Sequence, residues 1–152
     1  MNLESLRRDS ELLRSLDEAQ VAFLESVSEE TNVVAGETLF EEGGQADRFY
    51  VVSVGKVALE MTSPGRAPMV IQTLGPGELV GVSWLFPPHR WNWRARAVVD
   101  TKLARFDAAE VRRRCEEDAG LRSALLAVVA EEVVGRLHRA RIQLLDLYRS
   151  GS

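Results

Sequence analysis

From Asn32 onward the apolar residues leave helical spacing for six short β-rich runs, residues 38–41, 48–53, 56–61, 69–73, 94–99 and 102–106, separated by Gly, Pro, Asp or Ser. Runs this short cannot cover a core one at a time. Short, turn-punctuated strands meet that requirement by folding together as an antiparallel roll. Gly36, Gly43-Gly44, Gly55, Gly65, Gly75 and Gly77 occupy the predicted turns, and Pro64-Gly65 and Pro76-Gly77 reinforce two of them.

The flanks keep a helical period. Leu12, Leu13, Leu16, Val21, Phe23, Leu24 and Val27 recur at helical spacing, with Asp17 and Gln20 placed as a capping pair. After Asp107 the period returns, and residues 120–148 predict one long helix. Its apolar positions Leu126, Val129, Val133, Leu137, Ala140, Leu144 and Leu147 fall at three- and four-residue steps. A stripe of about three heptads exceeds what a small roll can cover, which predicts a homodimer seam; packing on the chain's own roll is the alternative. Arg136, Arg139 and Arg141 would flank that seam, their stems over apolar surface and their charges in water.

With 152 residues and 45% hydrophobic composition, the chain is long enough for one domain that buries roughly 70% of its unfolded surface. The expected organisation is a single unit, 1–152, with a helical preface over 1–30, a β-roll over 31–107 and C-terminal helices over 108–149. A single cysteine, Cys115, excludes an internal disulfide framework, and no secretory leader pattern opens the chain. The longest apolar run, residues 124–130, falls far short of the roughly 20 residues needed to cross a bilayer. A cytoplasmic protein with no membrane partner is expected.

Net charge is −4, divided as 6 basic against 14 acidic groups over residues 1–85 and 13 against 9 over residues 86–152. Arg112, Arg113 and Arg114 sit beside Glu116, Glu117 and Asp118, the pattern of a solvated helix surface rather than a nucleic-acid face. Catalysis is not expected. A β-roll metalloenzyme needs clustered histidines with a carboxylate, whereas His89 and His138 stand far apart in the chain. No Gly-x-Ser-x-Gly occurs, and Cys115 has no histidine close in sequence.

Three motifs run in order ahead of the long helix: Ala35-Gly36-Glu37-Thr38-Leu39-Phe40-Glu41-Glu42-Gly43, Phe49-Tyr50-Val51-Val52-Ser53-Val54-Gly55-Lys56-Val57 and Leu74-Gly75-Pro76-Gly77. Over about residues 10–148 the chain resembles the cyclic nucleotide-binding domain of the catabolite-activator (Crp/Fnr-like) superfamily. The resemblance implies a mainly β fold with flanking helices, a double-stranded β-helix or jelly-roll β-roll. It also implies a phosphate-binding cassette with a short helix, and a C-terminal helix that often dimerises.

In that superfamily, cassette amides and a small-residue turn hold the cyclic phosphate, an arginine pairs with it, and a glutamate accepts from the ribose hydroxyl. With Gly81 as the cassette glycine, Val82 stands where the glutamate is expected. With Arg96-Ala97 at the end of the cassette strand, Trp91 stands where the arginine is expected. Arg90 lies one position away and Glu78 three positions early. Two missing charge-assisted hydrogen bonds, at roughly 1.5–3 kcal/mol each, amount to about a hundred- to ten-thousand-fold in affinity.

The candidate ligand surface is therefore Gly81, Val82, Ser83, Trp84, Arg90, Trp91, Asn92 and Trp93. Strand alternation puts Trp91, Trp93, Ala95 and Ala97 on one face and Asn92, Arg94 and Arg96 on the other. With Trp84, the first face would either line an aromatic pocket for a flat or apolar ligand or fill a collapsed one. Ser83 and Asn92 could supply hydrogen bonds. Some superfamily relatives bind haem or iron–sulfur clusters; the chain lacks four cysteines, and His89, His138 and Cys115 are isolated as axial candidates, so no cofactor is expected.

The function implied is a non-catalytic regulatory, ligand-sensing domain, dimeric, with weakened or altered nucleotide specificity. The alternative is a cyclic-nucleotide-responsive transcription regulator acting as a fragment or through a partner. DNA-binding relatives carry a helix-turn-helix after the long helix, so with the sequence closing at Ser152 no direct DNA binding is expected. The terminal Ser150-Gly151-Ser152 looks like an expression remnant and carries no weight.

Overall fold

The computed structural model describes residues 1–150, so Gly151 and Ser152 of the terminal tripeptide lie outside the described residues. Two short helices, α1 (Glu11–Arg14) and α2 (Glu18–Ser26), precede eight strands. The strands are β1 (Ser28–Val33), β2 (Thr38–Phe40), β3 (Arg48–Val54), β4 (Val57–Met61), β5 (Met69–Leu74), β6 (Leu79–Val80), β7 (Arg94–Ala97) and β8 (Thr101–Asp107). Helices α3 (Ala108–Glu117) and α4 (Ala119–Ser150) close the chain. Two four-stranded antiparallel sheets, ordered β1-β8-β3-β6 and β2-β7-β4-β5, make the jelly-roll that the motifs imply.

The six predicted runs all become strands, within two residues at each end. Two further strands escape the periodicity argument. Strand β1 begins at Ser28, ahead of the expected start of the roll at residue 31, and is an edge strand whose Glu29 and Glu30 pair across to Arg105 and Lys102 of β8. Strand β6 is only two residues long. Strand β3 is buried continuously from Phe49 to Val52; successive side chains point to opposite faces, so both of its faces are covered.

Local signals fix the helices. Asp17 accepts from the Gln20 amide while the Gln20 side chain accepts from the Asp17 amide, the reciprocal capping box expected from the sequence. Asp107 caps α3 by accepting from the Glu110 amide (3.2 Å), and Asp118 caps α4 by accepting from Leu121 (3.0 Å). On α4 the row Leu121, Leu125 and Val129 docks into the core. Val129, expected in a dimer seam, is only 2% exposed because the i, i+4 row that includes it faces the chain's own core. From Leu137 to Ser150 every residue of α4 is exposed.

Candidate ligand-binding site

After β6 the chain turns at Gly81, whose φ of +99° is in the region that favours glycine, and enters a single short turn of helix, Ser83–Leu85. Trp84 sits at the centre of that turn and is fully buried. Its indole Nε1 donates to the Gly81 carbonyl (3.0 Å), and its ring stacks on Phe49 with centroids 4.0 Å apart. Phe49 in turn stacks on Phe106 of β8 at 4.8 Å. Trp84 is thus the inner anchor of the cassette helix, and Ser83 and Val82 beside it are half-buried.

The chain returns through a loop that ends at Trp91. Backbone bonds clamp this segment to the β2–β3 connection: Ala46 donates to the His89 carbonyl (2.7 Å), Trp91 to the Gly44 carbonyl (2.9 Å), and Gly43 to the Trp91 carbonyl (2.7 Å). The Trp91 indole turns inward and is only 3% exposed, lying flat on Phe40 of β2 with centroids 3.8 Å apart and an interplanar angle of 11°. Its six-membered edge reaches Gly81 so closely that a Cβ there would lie 2.7 and 2.8 Å from Cζ3 and Cη2. The Trp91 indole therefore occupies the space between Gly81 and Phe40. The fit has a cost, because the Trp91 Nε1 is buried with no hydrogen-bond acceptor, an omission worth about 1–3 kcal/mol.

The tryptophans differ in burial and in their ring partners. Trp84 and Trp91 flank Gly81 on separate aromatic partners, while Trp93 is half-buried and Asn92 is exposed. Arg90 is exposed and reaches the Gly43 carbonyl at 3.4 Å, on the outer side of the loop. Glu78 is bound to the turn that precedes β6, accepting from the Gly75 amide at 3.3 Å, with burial pushing its carboxyl above the usual range.

Arg94 and Arg96 alternate along β7 with the buried Ala95 and Ala97, so they lie on the outer face of the sheet. Both are held by Glu60 of β4, itself 3% exposed: Arg94 Nη2 lies 3.0 Å from Oε1 and Arg96 Nη2 3.1 Å from Oε2. The hydrogen bond from Arg96 is the largest influence holding the Glu60 carboxyl below its ordinary range, against the opposing effect of burial. The sequence reading missed this cluster, whose only sign was Arg-x-Arg on one strand and a lone Glu on another. It leaves neither arginine free to enter the cassette.

Elsewhere, a cleft of about 660 Å³ opens among α2, the start of β3 and the start of α3, but its Arg48 is engaged by Asp47 (2.7 Å), the Tyr50 hydroxyl (3.0 Å) and the Leu39 carbonyl (2.8 Å). No group of three or more His, Cys, Asp or Glu that could hold a metal occurs among the described residues. Cys115 is buried, which pushes its thiol up and away from thiolate chemistry. Among the described residues no helix is long and apolar enough to cross a membrane.

Comparison with known proteins agrees with this fold. The family described as Cyclic nucleotide-binding domain matches residues 30–118. A candidate cyclic nucleotide-binding protein from Geobacter metallireducens superposes with a TM-score of 0.80 at 28% identity, over 91% of this chain and 99% of that one. The N-terminal domain of a transcriptional regulator from Streptomyces coelicolor is 33% identical over 93% of this chain and 95% of its own, with a TM-score of 0.68. The CRP-like cAMP-activated global transcriptional regulator of Mycobacterium tuberculosis is 24% identical over 136 residues, 90% of this chain. The chain spans 59% of that regulator's length. With a jelly-roll of two four-stranded sheets and a long C-terminal helix, the chain belongs to the cyclic nucleotide-binding domain family.

Proposed function

We propose that residues 1–152 act as one non-catalytic, cytoplasmic regulatory module of the cyclic nucleotide-binding type, with a cassette that Trp91 has closed and an output through a dimer of α4. The observation that carries the first half is the Trp91 indole lying on Gly81 where the resemblance expects an arginine and a phosphate. Val82 offers no carboxylate, and Arg94 and Arg96 are occupied by Glu60. Nucleotide affinity should fall by the hundred- to ten-thousand-fold that two lost charge-assisted bonds represent, and Trp91 would first have to leave.

Supporting the second half, α4 presents a second stripe on the face turned away from the roll. Leu126, Ala130, Val133, Leu137, Ala140, Leu144 and Leu147 follow alternating four- and three-residue steps, with Ala130 taking the place first given to Val129. Leu137, Leu144 and Leu147 are 63%, 65% and 70% exposed, an unusual load for a helix extending beyond its domain. A parallel partner helix would cover them.

Calorimetric titration of the protein with cyclic AMP and cyclic GMP tests the closed cassette. The expected result is no binding in the micromolar range, with affinity gained in the double variant Val82→Glu, Trp91→Arg. Micromolar binding by the unaltered chain would overturn the reading. The curated relatives favour a second reading, in which the module serves a transcription regulator through a partner. A sequence-selective mobility shift at physiological salt by the chain alone would go further and establish direct DNA binding.

A further inference from the structure

We propose that Gln72, Glu132 and Arg136 form an internal latch that fixes α4 on the roll. Gln72 lies on the edge strand β5, opposite the buried Leu59 in register, and so points to the inner face of its sheet. Its amide Nε2 donates to Glu132 Oε1 at 2.8 Å, and its Oε1 accepts from Arg136 Nε at 3.0 Å. Glu132 and Arg136 are one helical turn apart, with Arg136 Nη2 3.6 Å from Glu132 Oε1, an ion pair too long to be a hydrogen bond. They are 20% and 11% exposed, and both bonds to Gln72 are charge-assisted.

Two opposite charges on successive turns engage the two ends of one amide. A shift of α4 along its axis by one turn, about 5.4 Å, would break both bonds, as would a rotation about that axis. The latch stands at the last level where residues of α4 are partly buried. Below it Leu121, Leu125 and Val129 are docked, and beyond it residues 137–150 are exposed. Glu78 and Arg139 face the same cluster, so the local charges balance as two acids against two bases.

Arg136 gives the device its cooperativity. Burial of its guanidinium disfavours the charge, and its Nη2 has no hydrogen-bond acceptor within the chain. Without Gln72 that cation would be left half-served under the helix, and α4 would lift to hydrate it. The inference rests on the reading of α4 as the output element. The latch would hold that output element on the roll through side chains of the chain itself.

Hydrogen–deuterium exchange, in nucleotide-free protein made monomeric by Leu137→Glu with Leu144→Glu, tests the latch separately from dimerisation. Amides 128–136 should exchange about tenfold faster in Gln72→Ala, equivalent to about 1.4 kcal/mol, while those of β3 and β8 are unchanged. Gln72→Leu, which keeps side-chain bulk without the amide, should behave as Gln72→Ala does. Unchanged exchange at 128–136 in either variant overturns the proposal, as does an equal rise in β3 and β8. If the unaltered chain proves monomeric, the dimer reading fails while this comparison still decides the latch.

Discussion

Arg112 donates from its Nη1 to the Trp84 carbonyl at 2.6 Å, so the cassette helix is tied from outside to α3 as well as anchored inside by its own tryptophan. The acceptor is a backbone group, so the bond constrains the position of the turn itself. A charge-assisted bond of this kind is worth about 1.5–3 kcal/mol. Arg112→Ala should therefore lower the melting temperature by about 5–9 °C in a chain of this size. Arg112→Lys should recover only part of that, because an ammonium on a shorter stem reaches the carbonyl less well. Scanning calorimetry of both variants checks this; a melting temperature within 1 °C of the parent for Arg112→Ala would show that the tie is unimportant.

Gly81→Ala meets two separate penalties: a positive φ, costing about 1–2 kcal/mol, and the collision with the Trp91 ring. Only the second depends on Trp91. In a double-mutant cycle with Trp91→Ala, Gly81→Ala should cost at least 1 kcal/mol less than in the parent, a coupling of the size seen between residues in contact. Urea unfolding of the four proteins reads the coupling directly. Strict additivity would mean that Trp91 does not press on Gly81 in solution.

Much of this was legible from the chain. The Gly-punctuated runs foretold the hairpins, and the Asp17–Gln20 pair foretold its capping box, because both signals are local. Strand β1, Ser-Glu-Glu-Thr-Asn-Val, was not, since an edge strand held by backbone bonds and cross-strand ion pairs needs no apolar alternation. Val129 and Ala130 both fit three- and four-residue steps from Leu126, and only burial separates the docked row from the free stripe. The packed Trp91 indole lay at the same limit: sequence put an indole near Gly81, but its inward turn depends on Phe40, forty-one residues before Gly81. The Glu60 and Gln72 clusters exist only through strand register and helix docking.

Glu60 makes acid stability predictable in sign. Its carboxyl titrates below the ordinary range in the folded chain, chiefly through Arg96, so the unfolded chain binds a proton more readily. The stabilisation is therefore present above the unfolded carboxylate pKa and is lost as pH falls through the lower, folded value. Glu60→Gln should remove that part of the acid slope and, by leaving two guanidiniums side by side, cost about 3 kcal/mol near neutral pH. Chemical denaturation across the acid range checks both. A variant with the parent's stability and the parent's acid slope would show that Glu60 is not the charge holding Arg94 and Arg96.

The two faces of α4 should respond in opposite ways to substitution. Leu137→Glu with Leu144→Glu places carboxylates on the exposed stripe, where the monomer loses no buried contact; dimerisation should vanish while the melting temperature at low concentration stays within about 2 °C. Val129→Ala truncates a side chain already sealed in the core, so it should cost about 1–2 kcal/mol yet leave the association constant unchanged. Sedimentation equilibrium paired with calorimetry separates the outcomes. Loss of association in Val129→Ala without loss of stability would mean that the docked row, rather than the free stripe, meets the partner. An unaltered chain that sediments as a monomer at high micromolar concentration would mean that the stripe does not meet a second copy of this chain.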